Sequence, residues 1–89
     1  MVTRALNSIA ANIRKQRLRR GMTQQRLAEV AKLQTRYLQT LESGKANPSA
    51  AVLIAVAEAL AVSPGVLFTE APLHERWPGR PGKRRKRQR

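Results

Sequence analysis

Four polar side chains recur along one face of a short predicted helix in the middle of the chain. They stand at positions i, i+3, i+4 and i+7 of a helix with 3.6 residues per turn. They are Arg36, Gln39, Thr40 and Ser43. Leu38 and Leu41 fall on the opposite face, where we expect them to pack against a core. Guanidinium, amide and hydroxyl groups match the hydrogen-bonding edges of DNA bases. In a strongly basic chain, the pattern therefore predicts a helix that contacts DNA.

The charge of the chain points to the same kind of partner. The 89 residues carry a net charge of +13. Residues 1–70 hold ten basic and four acidic residues (+6), whereas residues 71–89 hold eight basic and one acidic residue (+7). We therefore expect a polyanion to meet two separate basic elements. The alternative, that surplus charge only keeps the protein in solution, stays open, chiefly for residues 71–89.

The residue types argue against an enzyme and against a metal centre. There is no cysteine, the single histidine is His74, and the five acidic residues are scattered, so no catalytic residue, metal ligand or cofactor site is predicted. The longest apolar run, 50–57, is far shorter than the roughly 20 residues that span a bilayer, and no signal peptide is apparent. We expect a cytoplasmic protein without a membrane partner.

Apolar periodicity and capping residues predict an all-α domain of five helices. In chain order, the helices run from a cap at Asn7 or Ser8 to about Arg20, from Gln24 (capped by Thr23) to about Ala31, from Gln34 or Thr35 to Gly44, from Ala50 (capped by Ser49) to about Ala61, and from Pro64 (capped by Ser63) through Phe68. The apolar positions expected to form the core include Leu6, Ile9, Ile13, Leu27, Val30, Ala31, Leu53, Val56, Ala57 and Leu60. The fourth helix is so apolar that it must be either deeply buried or partly covered by a second chain.

The composition changes after this domain. Residues 1–70 form the predicted compact unit, and residues 71–89 are rich in Pro, Gly and basic residues. Little remains there to bury, so we expect this segment to be a disordered tail in isolation.

Four sequence elements resemble the lambda-repressor-like helix-turn-helix family of Cro and Xre type regulators, over roughly residues 6–69. The elements are Gln24 with Ala28 four residues later, Leu-Glu-Ser-Gly-Lys at 41–45, Asn-Pro-Ser at 47–49 and Leu-Ala-Val-Ser-Pro at 60–64. The resemblance implies a five-helix domain that binds double-stranded DNA. The basic tail is not part of the family pattern.

The resemblance also implies roles for individual residues. Base reading would fall to Thr35, Arg36 and Thr40, with Gln39 as a further candidate and Tyr37 as a candidate for either a base or the DNA backbone. Backbone contacts would fall to Gln24, Ser43 and Lys45. Arg17 and Glu42 match a pair that usually clamps the structure. Lys32 stands where the family usually has a turn glycine, and Gln34 replaces a small capping residue, so Thr35 is a candidate to cap the third helix instead.

Two functions remain open from the sequence. The first is a sequence-specific transcriptional regulator, a repressor or autoregulatory controller that binds a near-palindromic operator as a homodimer. Val66, Leu67 and Phe68 are the candidate dimer interface, because little core remains for them to join; the alternative is that they close the core. The second function is an antitoxin-type module that binds a toxin as well as its own promoter, which the apolar fourth helix would allow. Sequence-neutral packaging of nucleic acid is disfavoured by the dedicated polar helix.

The five consecutive charges at 83–87 generate a prediction about salt dependence. Each phosphate that a cation neutralises contributes about −0.9 to the slope of log affinity against log salt concentration on duplex DNA. If the tail contacts DNA, deleting residues 81–89 should flatten this slope by several units per protomer and leave the ranking of binding sites unchanged. Titrations of full-length and truncated protein over a range of salt concentrations test this. An unchanged slope would show that the tail does not touch DNA.

Overall fold

The computed structural model describes residues 2–71, which form four α-helices and one 3-10 helix. Their bounds are α1 Val2–Arg19, α2 Gln24–Ala31, α3 Thr35–Glu42, α4 Ala50–Ala59 and the 3-10 helix Pro64–Phe68. No strand occurs in this range, and none of its helices is long and apolar enough to cross a membrane. The predicted fifth helix is thus a single short 3-10 segment. The predicted disordered tail lies, apart from Ala71, outside the described residues.

A buried core joins all five elements. The largest fully buried side chains are Ile13, Leu27, Leu38, Leu41, Val56, Leu60 and Leu67. α1 packs against α3 and the 3-10 helix, while α2 packs against α3 and α4. The predicted core positions on α1, α2 and α4 are confirmed except for two. Leu6 is only half-buried. Val30 remains 42% exposed, because Leu27, Ala28 and Ala31 already fill the packed side of this short helix.

The prediction that Asn7 or Ser8 caps α1 is wrong. Both residues lie inside the helix and are buried. The Ser8 hydroxyl accepts a hydrogen bond from the Ala71 backbone N–H at 3.1 Å. One turn later, the Asn12 amide donates to the carbonyl oxygens of Leu67 at 3.0 Å and Thr69 at 2.6 Å. Small polar residues favour caps because they bond nearby backbone, but here α1 uses them to hold the chain that follows the 3-10 helix.

Of the four other predicted caps, two are present and two are not. Thr23 Oγ1 accepts from the Arg26 N–H at 2.9 Å, and Ser49 Oγ accepts from the Val52 N–H at 3.2 Å. α3 instead starts without a side-chain cap, because Gln34 occupies the capping position and makes no such bond. Thr35 is the first residue inside α3, so the prediction that it caps the helix is wrong. Ser63 also makes no capping hydrogen bond.

Each of the four α-helices is followed, one or two positions after its last residue, by a residue with left-handed backbone. The residues and their φ angles are Gly21 at 66°, Lys32 at 62°, Gly44 at 81° and Ala61 at 58°. Lys32, which stands where the family usually has a turn glycine, is left-handed, at a cost of about 1 kcal/mol relative to glycine. The turn that begins at Lys32 is short, because only residues 32–34 lie between α2 and α3. A side chain at Gly44 would be strained by the positive φ, and its Cβ would force the Asn7 amide oxygen of α1 to move.

Candidate nucleic-acid interface

The two faces of α3 differ as its sequence pattern predicts. Leu38 and Leu41 are 0% and 1% exposed and anchor the helix in the core. Arg36 and Gln39 lie on the exposed side. Their side chains make no hydrogen bond or ion pair with any residue that the structure describes. A guanidinium and a carboxamide are therefore available to a ligand on this face.

The two hydroxyl groups on the same face already donate to the backbone of their own helix. Thr40 Oγ1 donates to the Arg36 carbonyl oxygen at 3.1 Å, and Ser43 Oγ donates to the Thr40 carbonyl oxygen at 2.6 Å. A hydroxyl has a single hydrogen, so in this arrangement each oxygen can only accept. Phosphate oxygens also only accept. The backbone contact predicted for Ser43 would therefore require its hydroxyl to give up the intrahelical bond.

Glu42, the last residue of α3, places a carboxylate in the interior. It is only 3% exposed. Arg17 of α1 binds it with two nitrogens, through Nε to Oε2 at 2.8 Å and Nη2 to Oε1 at 3.2 Å. Gln24 of α2 donates from Nε2 to Oε1 at 3.0 Å. A buried carboxylate is costly unless its oxygens are bonded, and these three bonds tie α3 to both preceding helices.

Two further bonds extend this network into the backbone. Arg17 Nη1 donates to the Met22 carbonyl oxygen at 2.9 Å, between α1 and α2. Arg14 Nη1 donates to the carbonyl oxygen of Glu42 itself, one of the carbonyls left unpaired at the end of a helix. The second half of α1 and the residue after it carry a basic cluster, Arg14, Lys15, Arg17, Arg19 and Arg20. Two arginines of this basic cluster thus point inward. The role of Arg14 was not predicted from the sequence, although Arg14 stands three residues before Arg17 on the same helical face.

The other residues proposed for DNA contact surround the exposed face of α3. Thr35 and Tyr37 are half-buried at the start of the helix, and Lys45 is exposed in the loop that follows it. Gln24 is half-buried. One of its amide hydrogens is directed at Glu42, which leaves the second hydrogen for a phosphate oxygen.

The candidate dimer residues divide into two groups. Leu67 is 0% exposed and belongs to the core, so its assignment to an interface is wrong. Val66 and Phe68 are 36% and 59% exposed. The bond from Asn12 to the Leu67 carbonyl explains the difference, since it holds the 3-10 helix with Leu67 directed inward. Within residues 2–71, no group of three or more His, Cys, Asp or Glu side chains could hold a metal ion.

Comparisons with known proteins agree with this geometry. The model of a helix-turn-helix family matches residues 13–67. The restriction-modification controller protein C.AhdI from Aeromonas hydrophila is similar in structure, with a TM-score of 0.69 and 30% identity over 71% of this chain and 96% of that chain. The clp gene regulator ClgR from C. glutamicum is similar with a TM-score of 0.68 and 31% identity over 79% of this chain and 87% of that chain. No curated protein matches.

The buried carboxylate generates a prediction about stability. Glu42→Gln should lower the free energy of unfolding by about 3 kcal/mol, because it leaves the largely buried Arg17 guanidinium without its counter-charge. Urea denaturation followed by circular dichroism measures the change. The matched control is Glu29→Gln, which breaks the exposed ion pair with Arg26, 2.9 Å long, and should cost less than about 1 kcal/mol. Equal losses for the two variants would contradict the structural role of Glu42.

Proposed function

Because the chain belongs to the helix-turn-helix family of Cro/C1 type, whose members are DNA-binding transcriptional regulators, we propose that it is a repressor or autoregulatory controller. It would bind a near-palindromic operator as a homodimer and act in the cytoplasm. A controller role is supported by the similarity to C.AhdI. An electrophoretic mobility shift series against the DNA upstream of its own coding sequence tests this proposal directly. The absence of a shift there, with binding to sites selected from random DNA, would argue for another target.

The single observation that carries the proposal is the exposed face of α3. The Leu38 and Leu41 side chains bury one side of the helix, and the opposite side holds Arg36 and Gln39, whose side chains have no hydrogen-bond partner among residues 2–71. A helix of this kind fits the major groove, where base pairs present distinct patterns of donors and acceptors. Arg36 is the residue that we propose reads guanine, with Thr35, Gln39 and Tyr37 beside it.

Arg36→Ala should reduce affinity for the cognate operator by the loss of a bidentate contact to guanine O6 and N7. Such a contact contributes about 1–3 kcal/mol of discrimination, which is roughly 5- to 150-fold in affinity. Binding to random DNA should change only a few fold. Titrations with the operator and with random duplexes of the same length measure both quantities.

Lys45→Ala is the matched control for a phosphate contact. Lys45 is exposed in the loop after α3, so its loss should weaken binding to all sequences about equally and reduce the salt slope by about 1. If Arg36→Ala behaved in the same way as Lys45→Ala, Arg36 would be a phosphate contact rather than a base contact.

Dimer formation is proposed from the exposed apolar residues of the 3-10 helix. Phe68 is 59% exposed and lines a shallow depression of about 310 Å³ with Arg4, Ala5, Ser8 and Glu70. A single domain of this kind reads only a few base pairs, so a two-fold dimer with recognition helices roughly 34 Å apart would supply the specificity that an operator requires. Val66 and Phe68 would lie at that interface.

Phe68→Asp should give a folded monomer, since a charge on this face opposes the dimer without entering the core. Sedimentation equilibrium gives the oligomeric state, and circular dichroism reports the fold. Two control variants show whether the effect is specific to the exposed position of Phe68. Leu67→Asp places a charge in the core and should unfold the domain, and Ile54→Asp, on an exposed position of α4, should leave the dimer intact. A folded Phe68→Asp dimer would place the interface elsewhere.

The antitoxin alternative depends on an apolar surface of α4. Ile54 is 46% exposed on that helix, which is the observation that favours it. The regulator is the better-supported proposal, because DNA binding alone accounts for the polar face of α3, whereas Ile54 is the one large apolar side chain that is exposed on α4. Co-purification of the protein with a small toxin encoded beside it would support the antitoxin function.

A further inference from the structure

We infer that Thr40 recognises a thymine in each operator half-site through the methyl group at its Cγ2, and not through its hydroxyl. The inference rests on the proposed function and adds the identity of one base to it. It follows from the hydrogen bonds of α3 and from the chemistry of the major-groove base edges.

The hydroxyl of Thr40 is occupied within the helix. Oγ1 donates its only hydrogen to the Arg36 carbonyl oxygen at 3.1 Å, the i−4 bond that a helical threonine can make. It therefore cannot donate to guanine O6 or N7, adenine N7 or thymine O4, which are all acceptors. The oxygen can still accept from the amino groups of adenine and cytosine, and the variants below separate that contact from one made by the methyl group. The side chain is exposed, so its other branch, the methyl group, is accessible from the same face.

The position of Thr40 on α3 supports a contact between its methyl group and a base. Thr40 stands one turn after Arg36 and next to Gln39. Both of those side chains lie on the same exposed side of α3 and have no hydrogen-bond partner within residues 2–71. Ser43, one turn further, also donates internally, to the Thr40 carbonyl at 2.6 Å. The exposed face of α3 thus presents two polar side chains, Arg36 and Gln39, and the methyl group of Thr40. Thymine is the base that offers a methyl group, at C5, in the major groove.

The test uses the full-length protein and a duplex selected from a random pool by the wild-type protein. Each thymine of one half-site is replaced in turn by deoxyuridine, which removes only the methyl group. One replacement should weaken binding by about fourfold, the effect of burying one methyl group, about 0.8 kcal/mol. Two variants then separate the two branches of the side chain. Thr40→Val keeps the methyl group and should keep the thymine preference, while Thr40→Ser keeps the hydroxyl and should lose it.

The outcomes separate this inference from the proposed function. If Thr40→Ser retains the preference and Thr40→Val loses it, the hydroxyl reads the base and the inference is wrong. If a consensus is selected but no deoxyuridine effect depends on residue 40, the inference fails and the regulator function stands. If the wild-type protein selects no consensus, both fail. Thermal melting of the two variants verifies that this exposed position has not altered the fold.

Discussion

The buried carboxylate of Glu42 is the interaction on which the rest of the structure depends. It lies at the end of α3, where it is 3% exposed, and receives bonds from Arg17 of α1 and Gln24 of α2. A charge at this depth is tolerated only because its oxygens are bonded. The cost of losing any of these bonds makes one position of α3 strongly preferred, so a short helix acquires a defined orientation that its own length could not provide.

The same network decides which polar groups are free to meet DNA. Arg14 and Arg17 belong to the basic cluster of α1, yet both bind Glu42. Arg14 donates to its backbone carbonyl oxygen, and Arg17 donates to its carboxylate. The hydroxyls of Thr40 and Ser43 are bonded within α3. What remains unpaired among the described residues of this face is a guanidinium and an amide. Polar side chains that look equivalent in the sequence thus have different roles: some form hydrogen bonds within the domain, and others remain exposed for the proposed DNA contact.

Much of the fold was predictable from local sequence. Apolar spacing located α2, α3 and α4 to within a few residues, because burying an apolar stripe dominates the free energy of a short helix. Thr23 and Ser49 capped as predicted. Prediction failed at Asn7, Ser8 and Val30. Asn7 and Ser8 lie inside α1 because they contact residues far away in the chain, Asn7 beside Gly44 and Ser8 through the Ala71 N–H. Val30 stays exposed because Leu27, Ala28 and Ala31 already fill the packed side of α2.

The sequence by itself determined the helices, the apolar side of α3 and the polar residues on its other side, since these follow from a 3.6-residue period and residue type. Only the tertiary structure decided which of those polar groups are satisfied internally. It also separated Leu67, buried in the core, from Val66 and Phe68, which are exposed. The reason is physical: hydrogen-bond partners such as Arg14 with Glu42 and Asn12 with Leu67 lie 28 and 55 residues apart, and local periodicity contains no information about distances of that kind.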